Sequence, residues 1–270
     1  MDPVKVDAVK AVKMDAVTSF PPQLPAAVQA HPFPLVFATV SGAHLYGFPS
    51  PDSDWDLRGV HVLPLAEVLG LEDVPETYSL ERDDGTVELD LVSHDVRKFA
   101  RLLLTRNGYV LEQLLSPLVV HTTPLHAQLV ALAPGVLTRW HAHHYLGFTA
   151  NQWQLLAKEP VPRVKPLLYA FRTVLTGLHL MRAGVIEANL EALNADARLP
   201  FLTDLIALKR GGREAEPLPE PLSVYRAEHA RLVLALEAAR ETTHLPGAVP
   251  EGVRRAVSEL VVRARLGSAF

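Results

Sequence analysis

Cysteine is absent from the 270 residues. That excludes disulfides, thiolate nucleophiles and cysteine-ligated metal sites. No run of about 18 apolar residues occurs, so nothing in the chain reads as a transmembrane helix. The opening stretch MDPVKVDAVKAVKMDAVTSFPP carries acids and lacks an apolar centre, so it does not read as a secretory leader. These absences lead us to expect a cytoplasmic protein with no membrane contact. An overall excess of positive charge is lacking too: the net charge is −4, which excludes a chain that is basic throughout and built to coat nucleic acid. Hydrophobic residues make up 49% and charged residues 21%, a balance that excludes disorder as the main state.

Charge is distributed unevenly. From Asp52 to Asp95 there are thirteen acids and two basic residues, Arg58 and Arg82. From Arg139 to Arg182 there are six basic residues and one acid, Glu159, together with His141, His143, His144 and His179. Carboxylates that no basic side chain neutralises call for a cation or for water. A basic helical block suits an anion such as phosphate. Both blocks also fit solvated faces.

Residues 1–22 read as a weakly ordered arm that Pro21 and Pro22 end. Apolar or alternating runs predict strands at 35–40, 55–63 and 87–92, with a turn at Asp83-Asp84-Gly85. From residue 96 the pattern turns helical, and from about 125 it predicts only helices: 125–133, 139–157, 166–183, 186–195, 199–209, 222–240 and 251–266. Strands first and helices after is an α+β arrangement. We therefore expect an arm at 1–22, a mixed sheet with helices at 23–122, and an all-helical domain at 123–270.

One stretch carries chemistry: Thr39-Val-Ser-Gly-Ala-His-Leu-Tyr-Gly-Phe-Pro-Ser-Pro-Asp-Ser-Asp-Trp-Asp-Leu-Arg-Gly59. An apolar strand ends at Gly42, where a backbone N–H can approach a phosphate oxygen. Asp54 and Asp56 are two apart at a strand start, so both point to one face. Two carboxylates converging there repel unless a divalent cation lies between them. Asp90 sits in an apolar strand between Leu89 and Leu91, an expensive place for an unpartnered carboxylate. It completes the ligand set if its strand lies beside the first; Glu88, on the same face, is the fallback. Magnesium suits such hard oxygen ligands, and paired ions can clamp an in-line phosphoryl displacement.

This ordered set resembles the DNA polymerase beta-type nucleotidyltransferase superfamily. Within it, GAHLYGFPSPDSDWDLRGVHV, residues 107–117, residues 144–148 and Lys165-Pro-Leu-Leu-Tyr169-Ala-Phe-Arg172 are similar to the RNA-repair, RNA-ligase-associated group. The likeness spans about residues 35–185. It implies a polymerase beta-like palm sheet and transfer of a nucleoside monophosphate from an NTP such as ATP to a hydroxyl, with Mg²⁺ or Mn²⁺. It makes Asp54, Asp56 and Asp90 catalytic metal ligands, the last also helping to deprotonate the acceptor. Gly42 and Ala43 would hold the β- and γ-phosphates, although the family carries serine where this chain has Ala43. An RNA end as acceptor and an RNA ligase as partner are implied by resemblance alone.

In the helical half, Lys165, Tyr169, Arg172, Thr176 and His179 fall on one stripe opposite Leu167, Leu168, Phe171, Val174, Leu175 and Leu178. Pattern alone makes this an amphipathic surface helix. The resemblance instead makes Lys165 and Arg172 candidates to reach a triphosphate, with Tyr169 to stack or hydrogen-bond. His44 lies in the glycine loop within reach of nucleotide, and Arg58 shares the aspartates' face, to orient them or meet phosphate. His141, His143 and His144 suggest zinc chemistry only if they meet one another and a carboxylate. A second reading of the whole chain is a binding module that has lost catalysis, supported by Ala43.

Overall fold

A computed structural model describes residues 20–212 and 215–267; the arm read from the sequence lies, up to residue 19, outside the described residues. In chain order the elements begin α1 (Gln23–Gln29), β1 (Leu35–Val40), α2 (Gly42–Tyr46), β2 (Trp55–His61) and α3 (Leu65–Leu69). They continue with β3 (Thr77–Asp83), β4 (Glu88–Asp95), α4 (Val96–Leu103), α5 (Gly108–Leu114) and β5 (Val119–Thr122). After β5 every assigned element is a helix among the described residues. These are α6 (Pro124–Val136), α7 (His141–Lys158), α8 (Val164–Ala183), α9 (Leu190–Ala197), α10 (Pro200–Gly211), α11 (Ser223–Thr242) and α12 (Glu251–Arg265).

The five strands form one sheet in the order β3-β4-β2-β1-β5. The β2–β4 pair is parallel and the other neighbours are antiparallel, so the sheet is mixed. All six residues of β1 are buried, as its unbroken apolar run requires of a central strand covered on both faces. Its single hydroxyl, on Thr39, donates to the Gln113 carbonyl at 2.8 Å, which removes the cost of burying it. Strand β4 alternates between inward and outward residues. Between β3 and β4 the Asp84 carboxylate accepts the Thr86 and Val87 N–H groups, and Gly85 adopts φ +81°, so the turn read at 83–85 closes a hairpin. Helices α4 and α5 start on side-chain caps, Asp95 accepting from Arg97 N–H and Asn107 from Tyr109 N–H.

One sheet face packs under α1 through Leu24, Leu35, Leu57, Leu89 and Leu91. The other joins a larger core that runs from Phe37 and Val60 through Phe99 and Leu129 to Phe171, Leu236 and Leu260. Side chains on both sides of the expected boundary at 122/123 therefore share one core. Helix α8 lies at its centre, packed by α7, α9, α10 and α11. It is not the surface helix that its pattern suggested: Arg172, Thr173 and Thr176 are as buried as Leu168 and Phe171. Helices on several sides cover its polar stripe, which a single-helix periodicity cannot reveal.

Candidate active site

The parallel register of β2 and β4 sets Asp56 directly beside Asp90. Laterally paired residues project to the same face. Asp54 precedes the first residue of β2 and so stands at the edge of the same patch. Burial pushes the Asp56 carboxyl up to about 6, with Arg58 opposing the shift and Asp54 and Asp90 adding to it.

Arg58, two residues beyond Asp56 on the same face, answers this repulsion. Its Nη2 donates to Asp56 Oδ1 and, at 2.8 Å, to Asp90 Oδ2. Its Nη1 donates to the Asp90 carbonyl at 2.7 Å, and its Nε to the Tyr109 hydroxyl at 3.0 Å. Burial works against its charge, yet Tyr109, Asp56 and Asp90 together hold it protonated. Arg58 thus orients both carboxylates and ties them to the start of α5.

Gly42 opens α2 with φ +60°, a backbone region that side chains strain to reach. A Cβ there would lie 1.8 Å from Asp56 Oδ2. The glycine therefore makes room for the carboxylate. Ser41 N–H also donates to the Asp56 carbonyl at 2.8 Å, which fixes the turn to β2. Ala43 points into the large core and is 2% exposed. His44 stacks on Trp55 with ring centroids 3.7 Å apart, and burial holds its imidazole below its ordinary value.

A cavity of 440 Å³ opens over the acids. Asp54 and Asp56 form its sheet side; Phe148 and Gln152 of α7, Arg163, and Lys165, Pro166 and Tyr169 of α8 form the helical side. The Lys165 ammonium lies 5.8 Å from the Tyr169 ring centroid. Two of the three α8 candidates therefore reach the acids' cavity. The third does not: Arg172 is 3% exposed, pairs with Glu112 at 3.0 Å and lies over the Tyr46 ring at 3.8 Å. It points into the core between α5 and α2 and does not line this cavity.

Lys209 was not legible from the sequence. Helix α10 buries it completely, and its ammonium donates to Ser50 Oγ. Burial, then the nearby Lys165, pulls its pKa down to about 8, against the pull of Asp52 and Asp54. The next residue, Arg210, donates to the Gly47 carbonyl and pairs with Glu191. Ser50 and Ser53 close a tight turn, Ser50 N–H donating to Ser53 Oγ at 3.0 Å. The end of α10 therefore clamps the segment that delivers Asp54. In sequence Lys209-Arg210 is indistinguishable from the cations that ordinarily favour a helix C-terminus.

Among the described residues no three His, Asp or Glu side chains stand together as a metal site. As they stand, Asp54, Asp56 and Asp90 are not drawn into one such group, and the Arg58 guanidinium lies between Asp56 and Asp90. In chemistry the acids still fit a hard divalent ion: they supply oxygen donors whose mutual repulsion Arg58 balances. The histidines do not meet. His141 bonds Thr138, His143 contacts Arg106 and Arg240, and His144 stacks on Phe148. His143 does not face His141 or His144 on the helix, and the three imidazoles are engaged by different partners, so they form no zinc site as placed.

A mixed sheet that places paired carboxylates beneath a helical wall is the arrangement of the polymerase beta-type nucleotidyltransferases. The chain belongs to the RNA repair pathway DNA polymerase beta family, whose model matches residues 20–263. It is also similar to a Bacillus subtilis (strain 168) protein named "Uncharacterized protein YcgL", 24% identical over 227 residues that cover 79% of this chain and 84% of that one.

Proposed function

We propose that the protein transfers a nucleoside monophosphate from an NTP to a hydroxyl acceptor with Mg²⁺ or Mn²⁺, releasing pyrophosphate, and that the acceptor is an RNA end under repair. The observation that carries this reading is the register of Asp56 with Asp90, beside Asp54, under a cavity whose far wall holds Lys165 and Tyr169. Asp54, Asp56 and Asp90 would hold the ion, which supplies charge neutralisation at the transferred phosphoryl group. Lys165 would face the polyphosphate, and the Gly42 turn would bring backbone N–H groups to it. Asp90 accepts the acceptor's proton in this reading. Arg58 keeps Asp56 and Asp90 oriented and, sharing their face, would be the guanidinium to meet a substrate phosphate there. Little covalent work is asked of the protein; positioning and charge carry the catalysis. An RNA ligase as partner and a cytoplasmic location belong to the same reading. No helix of the described residues is long and apolar enough to cross a membrane.

One observation favours a second reading, a module that binds nucleotide without turning it over. Arg58 already supplies the positive charge that Asp56 and Asp90 need, and Ala43 offers no hydroxyl to phosphate. Thermal unfolding separates the two. In ATP, GTP, CTP or UTP the first reading expects a Mg²⁺-dependent rise that a D54N/D56N variant lacks. Ligand at about a hundred times its Kd adds roughly 2.7 kcal/mol. No rise with any nucleotide overturns it.

A further inference from the structure

We propose that Arg106, His143 and Arg240, with the exposed Trp140 beside them, bind a backbone phosphate of the single-stranded RNA that enters the cavity; this deepens the transfer reading and rests on it for the RNA's purpose. The two ring nitrogens of His143 each meet a guanidinium: Nδ1 lies 3.0 Å from Arg106 Nη1 and Nε2 2.5 Å from Arg240 Nη1. Guanidinium groups only donate, and a neutral imidazole accepts at one nitrogen alone. One of the two contacts therefore sets N–H against N–H. An anion resolves that conflict, since its oxygens accept from both arginines and from the imidazole N–H.

The surroundings agree. Arg139 lies in the same cluster with its buried Nε unpartnered, and Glu241 is the acid facing it, bound to Arg240 Nε and Nη2. Three guanidiniums against one carboxylate leave a local positive excess in a chain of net charge −4. Arg106 makes no ion pair among the described residues. Trp140 is 42% exposed, packs 5.3 Å from the His143 ring, and is anchored by its indole N–H to the Gly247 carbonyl at 2.7 Å. A fixed, open indole beside a cationic cluster is what a stacked base and its phosphate need.

The place also fits. Arg106 precedes Asn107, the cap of α5, and Tyr109 on that helix bonds Arg58 between the acids. On α7, Phe148 and Gln152 of the cavity lie five and nine residues beyond His143, about 8 and 14 Å along the axis and about 140° and 180° around it. A strand that touches both the acids and this cluster therefore wraps around the N-terminal half of α7. Of this cluster, Arg139 and His143 belong to the basic block noted in the sequence, and Arg106 and Arg240 come to it from outside.

The test is anisotropy of a fluorescein-labelled single-stranded RNA of roughly ten nucleotides, in EDTA so that transfer does not intrude. Arg106→Ala with Arg240→Ala should weaken binding about ten-fold and lower the salt slope by about two. Because Arg106 is exposed, R106A alone keeps the wild-type melting temperature and still weakens binding, so loss of fold is not the cause. Equal affinity of wild type and the arginine variants, or no RNA binding by the wild type, overturns the proposal. Arginine-dependent RNA binding with no Mg²⁺-NTP stabilisation supports this site while removing the transfer reading.

Discussion

At Gly42 a missing side chain decides where a charged one can lie. Replacing it with alanine forces a Cβ into the Asp56 carboxylate and strains a backbone at φ +60°. Gly42→Ala should cost about 1–3 kcal/mol in urea unfolding. It should also abolish any Mg²⁺-NTP stabilisation, because Asp56 must move away from Asp90. Unchanged nucleotide stabilisation in this variant would show that Asp56 is not a ligand. Residues of this kind were legible in part. That Asp56 and Asp90 share a face could be read because strand alternation fixes faces, and an acid between leucines demands a reason; that Arg58 would stand between them could not. Arg172 misled because helical spacing gives a direction around an axis but not what covers it. Glu112, sixty residues earlier, supplies that cover.

At the scale of elements, the end of α10 holds the loop that presents Asp54. Two interactions do this, Lys209 on Ser50 and Arg210 on the Gly47 carbonyl. Lys209→Met keeps much of the buried stem and removes the ammonium, along with its desolvation penalty. We expect unfolding free energy within about 1 kcal/mol of wild type, but faster amide exchange at Ser53 and Asp54. Exchange unchanged there would mean that the loop needs no clamp. Helix spans were easier to read than strands. The predicted 166–183 appears as Val164–Ala183 and 251–266 as Glu251–Arg265. Strand β3 was missed because it is an edge with Tyr78 and Leu80 as its apolar residues, and β5 because four residues carry no period. What lay beyond reach was pairing: that β2 and β4 run parallel with Asp56 opposite Asp90 depends on a crossover, which no local pattern encodes.

For the whole molecule, buried histidines set an acid limit. Burial lowers His61, His141 and His229 from 6.5 to about 4. Their folded pKa lies below the unfolded one, so the unfolded chain binds more protons between those values. Stability is full above about pH 6.5 and falls as pH drops toward 4, by up to about 1.4 kcal/mol per pH unit for each histidine. Chemical denaturation at a series of pH values should show this slope. His229→Gln should lessen it if Gln fills the place against Thr149 and Trp153. A flat profile from 6.5 to 4.5 would contradict the assignment. The shared core also means that the helical half and the sheet stand or fall together, since Phe37 and Leu260 belong to one cluster.

The sheet has two edges, and they are treated differently. Helix α1 packs across β5. Among the described residues no strand pairs with the outer edge of β3, whose end and following turn read Glu81-Arg82-Asp83-Asp84, and these side chains are exposed. A second copy adding to that edge in parallel register would bring carboxylates opposite carboxylates, and in the antiparallel sense it would bury Glu81 and Asp83 against Ser79 and Thr77. The acidic block that seemed in sequence to ask for a cation thus acts in part as a colloidal repellent. It keeps neighbouring molecules from extending the sheet, so the same charges that line this edge also guard it against crowding.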